Sequence, residues 1–256
     1  KDGETYNVIT ELIQGVSLSE YISSSTFDMG EFLFILIQLA LALQVGQNVC
    51  GLVHYDLTPW NIVIQRLKKP ITFEYALSVD NVVRISTSVI PVIIDFGKSH
   101  VIHEDIHHGF VNMFKTSAIQ DVISLILSSV EQIVKTQKLP KQDFSSLFHL
   151  MNFLSGTEYC PKRFTNAYSI REFIRTKSKY YNLVHDEKYE LEQKSPLNFV
   201  QYILQLNRYY KFKLSKINPR EYRPLMNRGN PRQVYEYIFA GTTEERIQSY
   251  MNVFIR

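Results

Sequence analysis

His54-Tyr55-Asp56-Leu57-Thr58-Pro59-Trp60-Asn61, followed downstream by Val92-Ile93-Ile94-Asp95-Phe96-Gly97, is the stretch whose reading decides the fold. Val53 to Ile64 reads as a short strand, a loop and a second strand, because polar Asp56 and Asn61 flank Pro59 between apolar runs. Asp95 ends an apolar strand, and Gly97 permits a sharp bend just after it. The chain between the two motifs is β-rich. Its strand candidates are Thr72-Phe73-Glu74-Tyr75, Val82-Val83-Arg84-Ile85 and Val92-Ile93-Ile94, with a turn at Asp80-Asn81.

Upstream, Tyr6 to Ile13 reads as a strand broken by Gln14-Gly15, and a short helix follows from Leu18 to Ile22. Asp28 and Glu31 have capping-box spacing and open a helix to about Val49, apolar on nearly every face and ended by Gly51. Its most apolar run, Phe32 to Val45, contains Gln38 and falls short of the about 20 residues that a bilayer span needs, so a buried helix is expected. Downstream, Ser117 with Gln120 is spaced to cap a helix whose apolar residues, from Ile119 to Val134, cover most of its circumference. Helical spacing recurs at 144–154, 170–181 and 196–210, the last opened by Ser195-Pro196, and again at 232–239 and 243–254. A little β-structure ahead of a helical body predicts an α+β fold.

Hydrophobic residues make up 45% and charged residues 21%, as in an ordinary globular chain. The net charge of +3, with a mild cluster at Lys211, Lys213, Lys216, Arg220 and Arg223, reads as a solvated face and gives no strong nucleic-acid signal. Cys50 and Cys160 have neither pairing nor metal-ligand spacing, which fits a reducing, cytoplasmic setting. Lys1-Asp2-Gly3-Glu4 does not read as a secretory leader, and no membrane partner is expected.

Chemistry concentrates in Asp56, Asn61 and Asp95. Phosphoryl transfer from a nucleotide needs a carboxylate to orient the attacking hydroxyl and take its proton, and oxygen ligands to hold magnesium against the phosphates. Asp56 suits the first task; Asn61, five residues on, and Asp95 suit the second. The pattern matches the H-R-D-L-x-x-x-N and D-F-G signatures, and the chain resembles a divergent eukaryotic-type protein kinase. The resemblance runs in order along the sequence. Thr10-Glu11-Leu12-Ile13-Gln14-Gly15 is similar to the hinge, with Thr10 as gatekeeper and the backbone of Glu11 and Ile13 offered to adenine. Residues 32–49 are similar to the helix before the catalytic loop, and Asp121 to the aspartate that steadies that loop.

The resemblance implies a kinase-like large lobe over 1–256, with the hinge in 1–15, a β-hairpin insertion at 66–88 and a helical part at 196–256. It implies Asp56 as base, Asn61 and Asp95 as metal ligands, and His54, Phe96, Gly97 and Asp121 as structural support. ATP and Mg2+ are the implied cofactors, and a protein serine or threonine the implied substrate. Neither a glycine-rich loop nor a strand lysine occurs in the chain, so the nucleotide-covering small lobe is expected upstream of Lys1.

Departures from the family pattern are informative. Tyr55 stands where many such kinases have an arginine that reads a phosphorylated activation loop, which argues against control by phosphate–arginine pairing. Thr58 stands where serine/threonine kinases often carry a lysine near the transferred phosphate. The stretch from Gly97 to Asp121 is short and lacks an Ala-Pro-Glu anchor, as in kinases of large DNA viruses and, more loosely, haspin-like kinases. The viral group would put the protein in the host cell or virion. Two other functions stay open: a small-molecule phosphotransferase of the choline and aminoglycoside kinase type, and a pseudokinase binding module. His100, His103, His107 and His108 read as exposed loop histidines rather than a zinc site, Trp60 as a packing residue, and the C-terminal aromatics as core.

Overall fold

A computed structural model of the chain describes residues 11–78, 81–103, 106–109, 118–154, 166, 168–170, 172 and 195–215. Strand β1 (Val16–Ser17) runs directly into helix α1 (Leu18–Ser23). A complete capping box fixes the junction: the Ser17 hydroxyl accepts the Glu20 N–H at 3.0 Å, and the Glu20 carboxylate accepts the Ser17 N–H at 2.7 Å. Helix α2 (Met29–Cys50) starts at Asp28, whose carboxylate accepts the Glu31 N–H at 2.7 Å. Only half of the expected box forms, because the Glu31 side chain turns away to the Arg66 guanidinium. Gly51, at φ 57°, closes the helix in the left-handed conformation.

Helix α2 has 22 residues, and an 18-residue stretch of it has a mean hydropathy of 1.8, so by length and composition it could cross a membrane. Length therefore does not exclude a span, contrary to the expectation from 32–45 alone. In the fold the helix is packed instead, with Phe32, Leu33, Ile35 and Leu41 fully buried. Several of its buried polar groups find partners in the surrounding layers, although the Gln38 side-chain oxygen finds none among the described residues. The Gln44 side-chain oxygen accepts the Leu197 N–H at 3.1 Å, and Asn48 donates to the Leu77 carbonyl at 2.9 Å.

Strands β2 (Ile62–Ser78) and β3 (Asn81–Ile93) form one long antiparallel hairpin, paired from Ile62↔Ile93 to Ser78↔Asn81. The register shifts between Arg66 and Ile71, where Lys68-Lys69-Pro70 interrupts the ladder, and again between Ala76 and Ser78. The two strand candidates at 82–85 and 92–94 are thus a single strand; Asp80 of the expected turn lies outside the described residues. β1 pairs with the other edge of β2, giving the order β1-β2-β3. The strand expected over 6–13 is not seen where it can be checked: 11–14 are irregular, and 1–10 lie outside the described residues. Pairing begins only beyond Gly15, which approaches β2 so closely that a Cβ there would sit 2.3 Å from the Ile64 carbonyl oxygen.

Strands β4 (His100–His103) and β5 (Ile106–Gly109) make a second small sheet. Helices α3 (Gln120–Thr136), α4 (Lys141–Asn152), α5 (Pro196–Ile203) and α6 (Asn207–Tyr210) follow, with a 3-10 turn at Leu204–Leu206 dividing the helix expected over 196–210. α3 starts at Ile119 without a side-chain cap, and Ser117 lies outside the described residues. Ser195 and Asn198 form a second full capping box. The helices expected at 232–239 and 243–254, most of 170–181, Lys216, Arg220, Arg223 and Cys160 also lie outside the described residues, whereas Lys211 and Lys213 are exposed. The architecture is α+β: α5 packs on α2, α3 packs on α1, and a shared core joins these helices to the hairpin.

Candidate active site

Residues 54–61 leave the isolated bridge at Val53 and end in a 3-10 turn, Pro59–Asn61, that feeds straight into β2. The loop is held from below by Asp121, in the first turn of α3. Its carboxylate accepts the His54 N–H at 2.8 Å and the Tyr55 N–H at 2.9 Å. Asp121 is only 1% exposed, and burial pushes its carboxyl above the ordinary value against the pull of those two N–H groups. The bonds pin Tyr55 at φ 62°, a left-handed conformation costing about 1–2 kcal/mol for a residue with a Cβ.

His54 is fully buried and ties the loop to the second motif. Its Nδ1 accepts the Asp56 N–H at 3.3 Å, and its Nε2 lies 3.0 Å from the Ile94 carbonyl. Those two partners assign the ring proton to Nε2. The Phe96 ring stands 5.1 Å from the imidazole, centroid to centroid. Asn61 completes the connection: its carbonyl accepts the Ile94 N–H at 3.0 Å, and its side-chain amide donates to the Asp56 carbonyl at 2.8 Å. The backbone of the Asp56 loop and the end of β3 are thereby one hydrogen-bonded unit.

Asp95 follows that unit with φ 61° and ψ 64°; its carboxylate is exposed and has no hydrogen-bond partner among the described residues. A Cβ on Gly97 would lie 3.3 Å from Asp95 Oδ1, so the glycine leaves that oxygen room. The Asn61 side-chain oxygen and the Asp95 carboxylate are hard oxygen donors. They fit Mg2+, which takes one or two carboxylates and completes its shell with water and phosphate oxygens. Lys98 Nζ donates to Asp56 Oδ2 at 2.8 Å. Behind it, Ser99 Oγ donates to the His54 carbonyl at 3.3 Å, and Val53 and His100 exchange backbone bonds of 3.0 and 2.8 Å. The Lys98 contact and the Val53–His100 bridge were not anticipated from the sequence. The usable signal was that 54–61 and 94–100 together contain a single lysine or arginine, Lys98.

Other expectations fare differently. Trp60 is 58% exposed on the 3-10 turn, so it is not the packing residue it was read to be. His100 is buried, contrary to expectation, whereas His103 and His108 are exposed as expected but lie on paired strands rather than in a loop. The last two rings are 6.3 Å apart, and among the described residues no three of His, Cys, Asp or Glu gather as a metal site. Glu11 is exposed and Ile13 half-buried in the irregular segment before β1, while Thr10 lies outside the described residues. A cavity of ≈ 400 Å³, walled by Phe34, Tyr210 and Phe212, lies between the start of α2, β3 and residues 209–213, and is lined by no residue of 54–61 or 94–98.

The chain is similar to proteins of invertebrate iridescent viruses. It is 31% identical to uncharacterized protein 179R of Invertebrate iridescent virus 6 over 98% of its own length, and 34% identical to uncharacterized protein 035R of Invertebrate iridescent virus 3 over 58%. A third relative bears the name of a kinase: Probable kinase 098L of Invertebrate iridescent virus 3 is 32% identical over 38% of the chain. The chain spans less than a quarter of each, covering 23%, 14% and 18% of their lengths. No protein-family model matches the chain.

Proposed function

We propose that this chain is the catalytic large lobe of an ATP- and Mg2+-dependent phosphotransferase with a protein-kinase-like fold, acting on serine or threonine hydroxyls of a protein. The observation that carries the reading is the buttressed loop: buried Asp121 holds the backbone of His54 and Tyr55 while Asn61 and His54 bond to Ile94, next to Asp95. Turn chemistry alone would not demand a buried carboxylate beneath the loop. The likeness to a viral probable kinase supports the same class.

In this reading Asp56 orients the substrate hydroxyl and accepts its proton. The hydroxyl oxygen forms a bond to the γ-phosphorus as the bond to the β-phosphate oxygen breaks, and ADP leaves with those electrons. Asn61 and Asp95 hold Mg2+, which when bound offsets the phosphate charge. Backbone groups of Glu11 and Ile13 hydrogen-bond the adenine, and His54, Phe96, Gly97 and Asp121 keep the loop in shape. The viral relatives fit a site of action in the infected host cell or the virion.

Thermal unfolding of the intact protein with Mg-ATP tests the binding half of the proposal. Ligand at about 100 times its Kd stabilises by about 2.7 kcal/mol, a clear rise in midpoint. Asp95→Asn should lose the Mg2+-dependent part of that rise. A wild-type midpoint indifferent to millimolar Mg-ATP, or an unchanged Mg2+ effect in Asp95→Asn, counts against the reading.

A further inference from the structure

We infer that Lys98 is the cation that acts on the transferred phosphate, and that it rests on Asp56 when no nucleotide is present; this rests on the phosphotransferase reading. Charge develops on the equatorial phosphoryl oxygens during transfer, and cations aimed at them are a main source of acceleration. Residues 54–61 supply none: position 58 is threonine and the imidazole of His54 is buried and bonded to Ile94. Lys98 is the single lysine or arginine across 54–61 and 94–100.

Its position is suited to the task. Lys98 Nζ is 2.8 Å from Asp56 Oδ2, an oxygen of the carboxylate proposed to receive the hydroxyl proton. A hydroxyl bonded to that carboxylate lies about 3–3.5 Å from the phosphorus it attacks, so an ammonium at the same carboxylate is within reach of the moving group. The base of the lysine is fixed, and its side chain lies in solvent. The next two residues are tied to the loop through Ser99 Oγ and the Val53–His100 bridge, whereas the Lys98 side chain is 62% exposed against 29% for Asp56. An ion pair this open to water is weak. The higher charge of a nucleotide's terminal phosphate can draw the ammonium across on its flexible four-carbon stem, freeing Oδ2 for the hydroxyl. A plain surface ion pair would make no difference to how the site tells ATP from ADP.

The test compares equilibrium affinities of the intact protein for Mg-ATP and Mg-ADP by calorimetry, with turnover of ATP to water as a second readout. Lys98→Met is expected to weaken Mg-ATP about tenfold while leaving Mg-ADP unchanged, and to lower kcat about 10²–10³-fold. Lys98→Arg, which keeps the charge, should preserve most of the ATP-over-ADP ratio. The double variant Thr58→Lys with Lys98→Met should regain part of it, a recovery that no merely structural role predicts. Wild-type protein that binds both nucleotides, with a ratio untouched in Lys98→Met, overturns the role of Lys98 and leaves the phosphotransferase reading standing. Wild-type protein that binds neither overturns both.

Discussion

Replacing Asp121 removes a buried side chain that holds the catalytic-loop candidate from beneath. It accepts two backbone N–H groups, at 2.8 and 2.9 Å, in a place where His54 is fully buried and Asp121 is 1% exposed. A buried N–H left without a partner costs about 1–3 kcal/mol. Asp121→Asn keeps one oxygen and turns an amide donor toward the other N–H, so a loss of about 1–3 kcal/mol is expected, and Asp121→Ala should lose about twice that. The larger figure is a sizeable part of a stability of about 5–15 kcal/mol. Urea denaturation followed by circular dichroism reads these losses, with an unchanged m-value indicating that compactness is preserved.

A pH series adds a second check on the same residue. Burial raises the folded Asp121 carboxyl above its unfolded value, so the folded state binds the extra proton. Its contribution is full below about pH 3.9 and declines as pH rises through the folded value. The gap between wild type and Asp121→Asn should therefore be widest in acid and narrow toward neutrality. An Asp121→Ala loss below about 0.5 kcal/mol, the usual range of a surface change, would refute the reasoning.

Three further outcomes are expected. Burial pushes the Tyr75 hydroxyl up to about 12, so its contribution is intact below about pH 10 and is lost as pH climbs through 12; Tyr75→Phe should flatten the unfolding free energy across that window by about 2–3 kcal/mol. Gly15→Ala drives a methyl to 2.3 Å from the Ile64 carbonyl oxygen and should cost about 1–3 kcal/mol in thermal unfolding; an unchanged midpoint would contradict the close approach of β1 to β2. Arg66→Ala breaks the two-pronged pair with Glu31, but Arg66 is 50% exposed, so no more than about 1 kcal/mol is expected, shrinking further in high salt; a larger, salt-insensitive loss would show that the pair is more buried than it looks.

Local chemistry made much of the fold readable. Gly51 ended a helix because it lacks a Cβ, Ser195 began one through its hydroxyl, and the apolar run of α2 predicted a helix packed on several sides. Less legible were features set by distant partners. The Asp28–Glu31 spacing looked like a full capping box, yet Arg66, on strand β2 and 35 residues away, captures Glu31. The apolar residues at 82–85 and 92–94 gave no sign that one strand would run through Ser86 to Pro91 and carry on past a register shift, since that depends on β2 lying alongside. At the site, the spacing from His54 to Asn61 and the strand-end Asp95 were plain in the sequence. Trp60 was misread because large aromatics usually bury, whereas here a 3-10 turn aims the indole outward. The hold of Lys98 on Asp56 depends on the left-handed turn at Asp95 and the 3-10 turn Phe96–Lys98, which bring together two residues 42 apart, and no local pattern encodes that.

The most direct measurement of the central claim is transfer of labelled γ-phosphate from Mg-ATP by the intact protein, with wild type and Asp56→Asn compared on casein and on the protein itself. The account predicts transfer by the wild type and a fall of about 10²–10⁴-fold in Asp56→Asn, with the fold unchanged by circular dichroism. Equal transfer by the two proteins, or none by the wild type, would contradict it.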